Sequence, residues 1–154
     1  PNEMEVEESI HLTDFPVANE DLMDSKYQKI WETLIEVRKD VLKPIEVLRG
    51  DKTLGHSLES EINIYADEDV YNVLNNNQEE LAPLFVVSKV NLHKKEDAPS
   101  ATYEGKLVNV AVKKSKYKKC LRCWKYEESV GKNKEHPDLC ERCMGVVEKY
   151  YSKR

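Results

Sequence analysis

The stretches Cys120-Leu121-Arg122-Cys123 and Cys140-Glu141-Arg142-Cys143 decide how the C-terminal part of this chain folds. They contain all four cysteines of the 154-residue sequence, as two C-x2-C pairs with sixteen residues between the pairs. A two-residue gap lets both thiolates of a pair turn toward one point, and two such pairs form the tetrahedral all-sulfur site that Zn²⁺ favours. The spacing therefore predicts one structural zinc ion bound by Cys120, Cys123, Cys140 and Cys143.

Other uses of the four thiols are open. They could form two disulfides, but no signal peptide points to an oxidising compartment. They could include a redox dithiol, but a redox site needs only one C-x2-C pair. His136 could replace one cysteine as a ligand, although His136-Pro137 can equally shape the loop before the second pair.

The composition is that of a globular piece of something larger. At 154 residues there is room for one domain or two small ones, and the first residue is Pro1 rather than Met, which suggests an excised fragment. The sequence has neither a charged-then-apolar leader nor an apolar run near the ~20 residues of a transmembrane helix. We therefore expect no membrane contact, a cytoplasmic location and a monomer.

The net charge of −5 conceals two oppositely charged parts. Residues 1–112 carry 11 basic and 23 acidic side chains, whereas residues 113–154 carry 13 basic and 6 acidic ones. Four thiolates with one Zn²⁺ add about −2 to the second part, which stays basic. This segregation indicates that the C-terminal third meets a polyanion, with a merely solvated basic surface as the alternative.

A run of lysines leads into the first cysteine pair. The basic side chains that we expect to bind phosphates are Lys113, Lys114, Lys116, Lys118, Lys119 and Lys125. The alternative is a solvated strand edge, where lysines discourage aggregation.

Arg122 and Trp124 flank Cys123, so a bound metal holds their backbone in place. Such a platform can present a guanidinium to base edges and an indole to a base face, as in the recognition of single-stranded RNA loops. The alternative is that Trp124 covers the zinc site as a small core and Arg122 donates to a cysteine sulfur.

Apolar residues recur at steps of three and four from Tyr27 to Leu48, which predicts a long amphipathic helix. Ser25 and Gln28 form a candidate capping box, and Gly50 follows the predicted last residue, Arg49. Pro44 lies inside, so we expect a kink or break between Asp40 and Pro44. Trp31 is predicted to lie in the core.

The middle of the chain predicts a small strand-helix-strand-strand unit. Leu58, Ile62, Ile64 and Ala66 alternate with polar residues, which is typical of a half-buried strand, and Asp67 can cap the helix that follows. Residues 84–92 and 107–112 are the second and third predicted strands. The fold class is therefore α+β, with a long N-terminal helix, this unit and a C-terminal four-cysteine zinc ribbon.

The motifs around the cysteines resemble the C-terminal zinc module of bacterial isoleucyl-tRNA synthetases. The pattern C-x-R-C-W at residues 120–124, followed by H-P-x-L-C-x-R-C at 136–143, is fairly specific. Upstream, the Ser-Ile-His-Leu-Thr-Asp-Phe-Pro segment at 9–16, Trp31 and the segment 55–59 resemble further parts of that family. The resemblance covers nearly the whole chain and is loosest over residues 67–105.

The resemblance implies that this chain corresponds to the C-terminal domains of a larger enzyme. Residues 1–55 are the end of a helical anticodon-binding domain, 56–115 a small α+β junction domain and 116–154 the zinc module. The implied partners are the anticodon stem-loop of tRNA(Ile) and the rest of the parent ligase. The resemblance also implies that Arg122 and Trp124 recognise the first base of the anticodon. The class I catalytic signatures do not occur here, so ATP and Mg²⁺ belong to the parent's catalytic domain and this fragment carries no catalytic site.

Two competing functions remain on the residues alone. A DNA-binding zinc ribbon of the formamidopyrimidine-DNA glycosylase type also uses two C-x2-C pairs. A purely structural zinc module could pin the chain end onto a parent body, with zinc replacing a core too small to fold alone.

Overall fold

The computed structural model describes residues 9–15 and 17–151 of the chain. It arranges a long helix, a four-stranded sheet and a small cysteine-rich region in chain order, which confirms the α+β class. Among the described residues, no helix is both long and apolar enough to cross a membrane.

The first helix, α1, spans Ser25–Gly50. It is capped by Asp24, whose carboxylate accepts a hydrogen bond from the Lys26 N–H at 2.7 Å. The predicted capping box at Ser25 and Gln28 is therefore wrong: Ser25 is already helical, and Gln28 donates its side-chain amide to Glu32.

The end of α1 also differs from the prediction. Gly50 is the last helical residue, Asp51 donates its N–H back to the carbonyls of Arg49 and Val47, and Lys52 adopts the left-handed conformation with φ 65°. The helix runs through Pro44 without the predicted break. Buried Val41 and Ile45 flank the proline on the core side, so packing on both sides of it holds the helix together.

The sheet is built from two connected pairs of strands. Strand β1, Ser60–Ala66, is followed by helices α2, Glu68–Asn76, and α3, Gln78–Phe85, and then by strand β2, Lys89–Lys94. Strands β3, Tyr103–Glu104, and β4, Val108–Lys114, complete the order β2-β1-β4-β3. β1 pairs with β2 in parallel and with β4 antiparallel, so it lies at the centre.

The predicted strand over 84–92 is wrong in its first half. Residues 84 and 85 end α3, Val86 adopts a left-handed conformation with φ 56°, and β2 begins only at Lys89. The apolar run Leu84–Val87 is continuous because it belongs to a buried helix end and a turn: Phe85 and Val87 are fully buried on either side of exposed Val86. A short apolar run alone does not distinguish this arrangement from a strand.

One hydrophobic core joins α1 to the sheet. Leu34, Val37, Val41 and Ile45 of α1 pack with side chains from β1, α2, α3 and β4, among them Ile62, Ile64, Leu74, Phe85, Val108 and Val110. The other face of β1 carries buried Glu61 and Tyr65 and half-buried Asn63. The predicted polar outer face is therefore mostly covered rather than solvated. The predicted division at residues 1–55, 56–115 and 116–154 stays a prediction, but its first boundary runs through this shared core.

Several apolar side chains lie outside the core. Trp31 is 47% exposed, which corrects its predicted core position, and Tyr27 and Ile35 lie exposed one turn away on either side. Phe15 is 95% exposed. Tyr27, Trp31 and Ile35 form an exposed apolar stripe on α1, as a helix does when only part of its apolar surface has a partner.

The zinc module packs on the sheet through a buried serine. Its short hairpin consists of β5, Lys118–Lys119, and β6, Tyr126–Glu127, and helix α4, Glu141–Tyr151, follows the second cysteine pair. The Ser88 hydroxyl donates to the Leu58 carbonyl and accepts from the Tyr126 N–H at 2.7 Å. One side chain thus connects the start of β2, the segment before β1 and the zinc module.

Candidate metal centre and nucleic-acid interface

Two separate pieces of backbone present the four cysteines. Cys120 follows β5 and Cys123 lies in the turn of the hairpin, where the Trp124 N–H donates to the Cys120 carbonyl at 2.8 Å. Cys140 precedes α4 and Cys143 lies in its first turn. The Leu121 N–H donates to the Asp138 carbonyl at 3.0 Å and ties the two pieces together.

The sulfur atoms fit a single tetrahedral ion. All four lie within 4.8 Å of one another, and the Cys123 and Cys140 sulfurs are 3.7 Å apart. A tetrahedron with Zn–S distances of ~2.3 Å has sulfur–sulfur edges of about 3.8 Å. Cys120, Cys140 and Cys143 are buried, and within the described part of the chain their small cluster also includes Val130, Cys123 and Leu139. The predicted ligand set thus converges on one structural zinc site.

Hydrogen bonds favour the thiolate form at Cys120, whereas burial raises the pKa of Cys123 and of Cys140. Burial raises the pKa of the Cys120 thiol, but N–H groups of Cys123, Cys140 and Arg122 outweigh it and lower that pKa to about 6. Burial and the neighbouring sulfurs raise the pKa of Cys140 to about 12. Four adjacent thiols cannot all ionise alone, so a divalent cation is what makes the full set of thiolates favourable.

Two arginines face the sulfurs from opposite cysteine pairs. Arg122 donates to the Cys143 sulfur at 3.8 Å. A hydrogen bond to the Cys123 sulfur raises the pKa of Arg142. Together they offset the charge of about −2 that four thiolates and Zn²⁺ would carry. The sequence contains a signal for this symmetry, because both pairs have the pattern C-x-R-C.

His136 serves the loop rather than the cluster. Its N–H donates to the Asn133 side-chain oxygen at 2.9 Å, and its carbonyl accepts from the Leu139 N–H. The only metal-capable group of side chains found among the described residues is the four cysteines. The loop-shaping alternative for His136-Pro137 is therefore the one that the geometry favours.

Trp124 lies exposed beside a candidate metal ligand. It adopts a left-handed backbone conformation with φ 66°, next to the ligand Cys123, and its side chain is 54% exposed. The Lys119 ammonium lies 4.5 Å from the centroid of the indole. Trp124 therefore does not form the small core over the zinc site that the alternative interpretation required, whereas the sulfur contact of Arg122 matches that interpretation.

The predicted phosphate-binding lysines fall into two groups. Lys113 pairs with buried Glu61 at 3.4 Å and Lys114 with Glu59 at 3.0 Å, so both already have a carboxylate partner in β1 or just before it. Lys116 contacts the Tyr117 ring at 5.5 Å, and exposed Lys118 lies in β5. The structure brings Lys118, Lys119 and Lys125 to the hairpin beside Trp124 and leaves Lys113 and Lys114 on the sheet.

Comparison with known proteins agrees with this geometry. Residues 118–144 match the family model described as a zinc finger found in FPG and IleRS. The chain is 39% identical to an isoleucine-tRNA ligase of Desulforamulus reducens over 94% of its own length, 40% to one of Thermoanaerobacter over 92%, and 38% to one of Bacillus cereus over 96%.

The chain spans only 15 to 16% of the length of these relatives. Nearly all of it nevertheless aligns with them, and the zinc finger family coincides with the cysteine pairs. The resemblance to the C-terminal part of isoleucyl-tRNA synthetases is thereby confirmed, as is the zinc-binding character of the module.

Proposed function

We propose that this chain, a homologue of isoleucine-tRNA ligases, recognises the anticodon stem-loop of tRNA(Ile) and carries no catalytic site of its own. Within the parent, a class I ligase, the missing catalytic domain attaches isoleucine to the tRNA with ATP and Mg²⁺. The fragment acts as a monomeric cytoplasmic unit that holds the tRNA in place for that domain.

The exposed indole of Trp124 is the observation that carries this proposal. An aromatic side chain in a left-handed turn beside a metal ligand is strained and solvated, which no core-forming role explains. Unstacked bases of a single-stranded loop bind to such rings, each stack contributing about 1–3 kcal/mol. The nearby Lys119 adds a positive charge that favours a nucleotide over an uncharged aromatic ligand.

The Arg122 guanidinium can contact a cysteine sulfur and the edge of a base at the same time. One N–H of its guanidinium donates to the Cys143 sulfur, and the side chain as a whole is exposed. A guanidinium has five donors in a fixed plane, so the sulfur contact leaves donors for the edge of a base. We assign the first anticodon base to Arg122 and Trp124 together.

The exposed lysines beside the hairpin bind the backbone of the RNA in this proposal. Replacing both Lys116 and Lys118 by Gln should weaken binding to any RNA hairpin similarly and flatten the salt dependence by about one unit of slope per lost phosphate contact. Affinity measured across a salt series tests this. The matched control is Lys29→Gln with Lys43→Gln, two exposed lysines of α1, which should leave the slope unchanged. An equal slope in the hairpin variant would refute the contacts.

Two other functions fit the same cysteine pattern. The matching family model also covers FPG proteins, which keeps a DNA-binding ribbon as a candidate. A purely structural module is the second, and the sulfur contact of Arg122 favours it. Affinities of the zinc-loaded chain for a tRNA(Ile) anticodon stem-loop, an unrelated stem-loop and duplex DNA separate the three. We expect the first to bind most tightly; preference for the duplex supports the ribbon, and no binding to any of them supports the structural module.

A further inference from the structure

A cleft lies where the zinc module meets the segment before β1. It has a volume of about 80 Å³ and is lined by Lys119, Trp124 and Tyr126 of the zinc module and by His56, Leu58 and Glu59 of that segment. Its volume is too small for a whole nucleotide. Because Trp124 and Lys119 on one wall are exposed, the cleft can admit the edge of a ring that stacks on the indole.

The wall that the segment before β1 contributes is held by hydrogen bonds of its own. His56 caps a short 3₁₀ helix, Ser57–Glu59, by accepting the Leu58 N–H on its ring nitrogen at 3.2 Å. Glu59 receives the Lys114 ammonium and the Gly55 N–H, and both bonds go to the same carboxylate oxygen, Oε2. Its other oxygen, Oε1, keeps lone pairs for a further donor.

The two walls are linked by Ser88. Its hydroxyl accepts from the Tyr126 N–H and donates to the Leu58 carbonyl, so residues on both sides of the cleft share one buried, 7% exposed serine. A cleft held in this way is preformed, and a ligand that enters it does not have to order the walls.

We propose that the edge of one unstacked nucleobase of the tRNA loop enters this cleft, while Trp124 lies against the face of that base and His56 and Glu59 lie at its inserted edge. The inference rests on the proposed function and adds a second wall, from outside the zinc module, to the base-reading site. A carboxylate only accepts hydrogen bonds, so the edge that faces Glu59 carries N–H donors. Lys119 neutralises the phosphate that accompanies such a base.

Two conservative substitutions test the second wall. His56→Asn keeps a side-chain acceptor for the Leu58 N–H, since Asn is a good capping residue, but removes the ring. Glu59→Gln keeps the shape and one oxygen but removes the charge and introduces donors. The matched controls are His11→Asn and Glu148→Gln, which change exposed residues that do not line the cleft.

The measurement uses the complete zinc-loaded chain and anticodon stem-loops with 2-aminopurine at one loop position at a time. We expect one position to lose fluorescence on binding, as a stacked base does. His56→Asn and Glu59→Gln should each weaken binding of the stem-loop by about three- to tenfold, a fraction of a full base stack, and the controls should bind like the unchanged chain. Glu59→Gln should also reduce the preference for guanine over hypoxanthine at that position, because hypoxanthine lacks the exocyclic amino donor.

Failure of this inference and failure of the proposed function give different results. If Trp124→Ala weakens binding while His56→Asn and Glu59→Gln do not, the base meets the zinc module alone and the second wall is wrong. If Trp124→Ala and both second-wall variants all bind like the unchanged chain, the cleft holds no base and the proposed function falls with it.

Discussion

Cys140→Ser should release the zinc ion and unfold residues 117–145 while leaving α1 and the sheet folded. Among the residues that the structure describes, the cluster around the sulfurs has Val130 and Leu139 as its further apolar side chains, so little besides the metal stabilises this region. Structural zinc contributes apparent free energies of roughly 10–16 kcal/mol in small modules, and a serine hydroxyl is a poor replacement for a thiolate ligand. The core of α1, α2, α3 and the sheet contains none of these cysteines and should persist.

Metal analysis and residue-resolved hydrogen exchange measure this outcome. The unchanged chain purified without chelator should carry one Zn²⁺, and the variant less than one. Chelator treatment of the unchanged chain is the matched control: it should reproduce the exchange pattern of the variant, and added zinc should reverse it only in the unchanged chain. Zinc-free protein with a protected 117–145 region would contradict the account, as would loss of protection in α1 to the same extent.

Trp124→Ala should cost about 1–3 kcal/mol of RNA affinity, roughly a ten- to hundredfold loss, with zinc content unchanged. Alanine meets the same left-handed backbone cost as tryptophan, so the turn beside Cys123 keeps its strain and its hydrogen bond to Cys120. The indole is more than half exposed and lies outside the sulfur cluster, so its removal opens no cavity there. In the parent enzyme the variant should use tRNA poorly and still activate isoleucine.

Trp31→Ala is the matched control, since it removes an exposed indole from α1. It should leave the RNA affinity of this chain unchanged. If Trp124 only supports the zinc module, RNA binding should fall in proportion to the folded, zinc-loaded fraction. A folded, zinc-loaded Trp124→Ala chain with normal RNA affinity would therefore remove the base-reading role and leave the structural one.

The sequence predicted most accurately what depends on local spacing. The two C-x2-C pairs determine which sulfurs can meet, and the structure brings all four together. The apolar period of three and four likewise located α1 almost to the residue. The cap was missed because Asp24 and Ser25 are both good capping residues, and only the hydrogen bond to Lys26 distinguishes them.

What depends on distant packing could not be predicted in this way. The sequence does not predict the end of α3, because the apolar run continues from this helix through the turn at Val86 to buried Val87 and resembles a strand. Trp31 was placed in the core because helical periodicity shows an apolar stripe but not which part of it has a partner. His56 and Glu59 lie over 60 positions from Trp124, and tertiary hydrogen bonds of Ser88, together with that from the Ser115 N–H to the Glu59 carbonyl, bring their segment to the zinc module.

The base preference of the zinc-loaded chain tests the central claim most directly. Affinities are measured at one salt concentration for the tRNA(Ile) anticodon stem-loop and for a stem-loop that differs only in the first anticodon base. The account predicts that the tRNA(Ile) stem-loop binds about tenfold, or 1.4 kcal/mol, more tightly than the altered one. In Arg122→Ala the difference between the two affinities should be smaller, because that variant loses a base-edge contact. Equal affinities for the two stem-loops, with zinc bound and the fold intact, would contradict it.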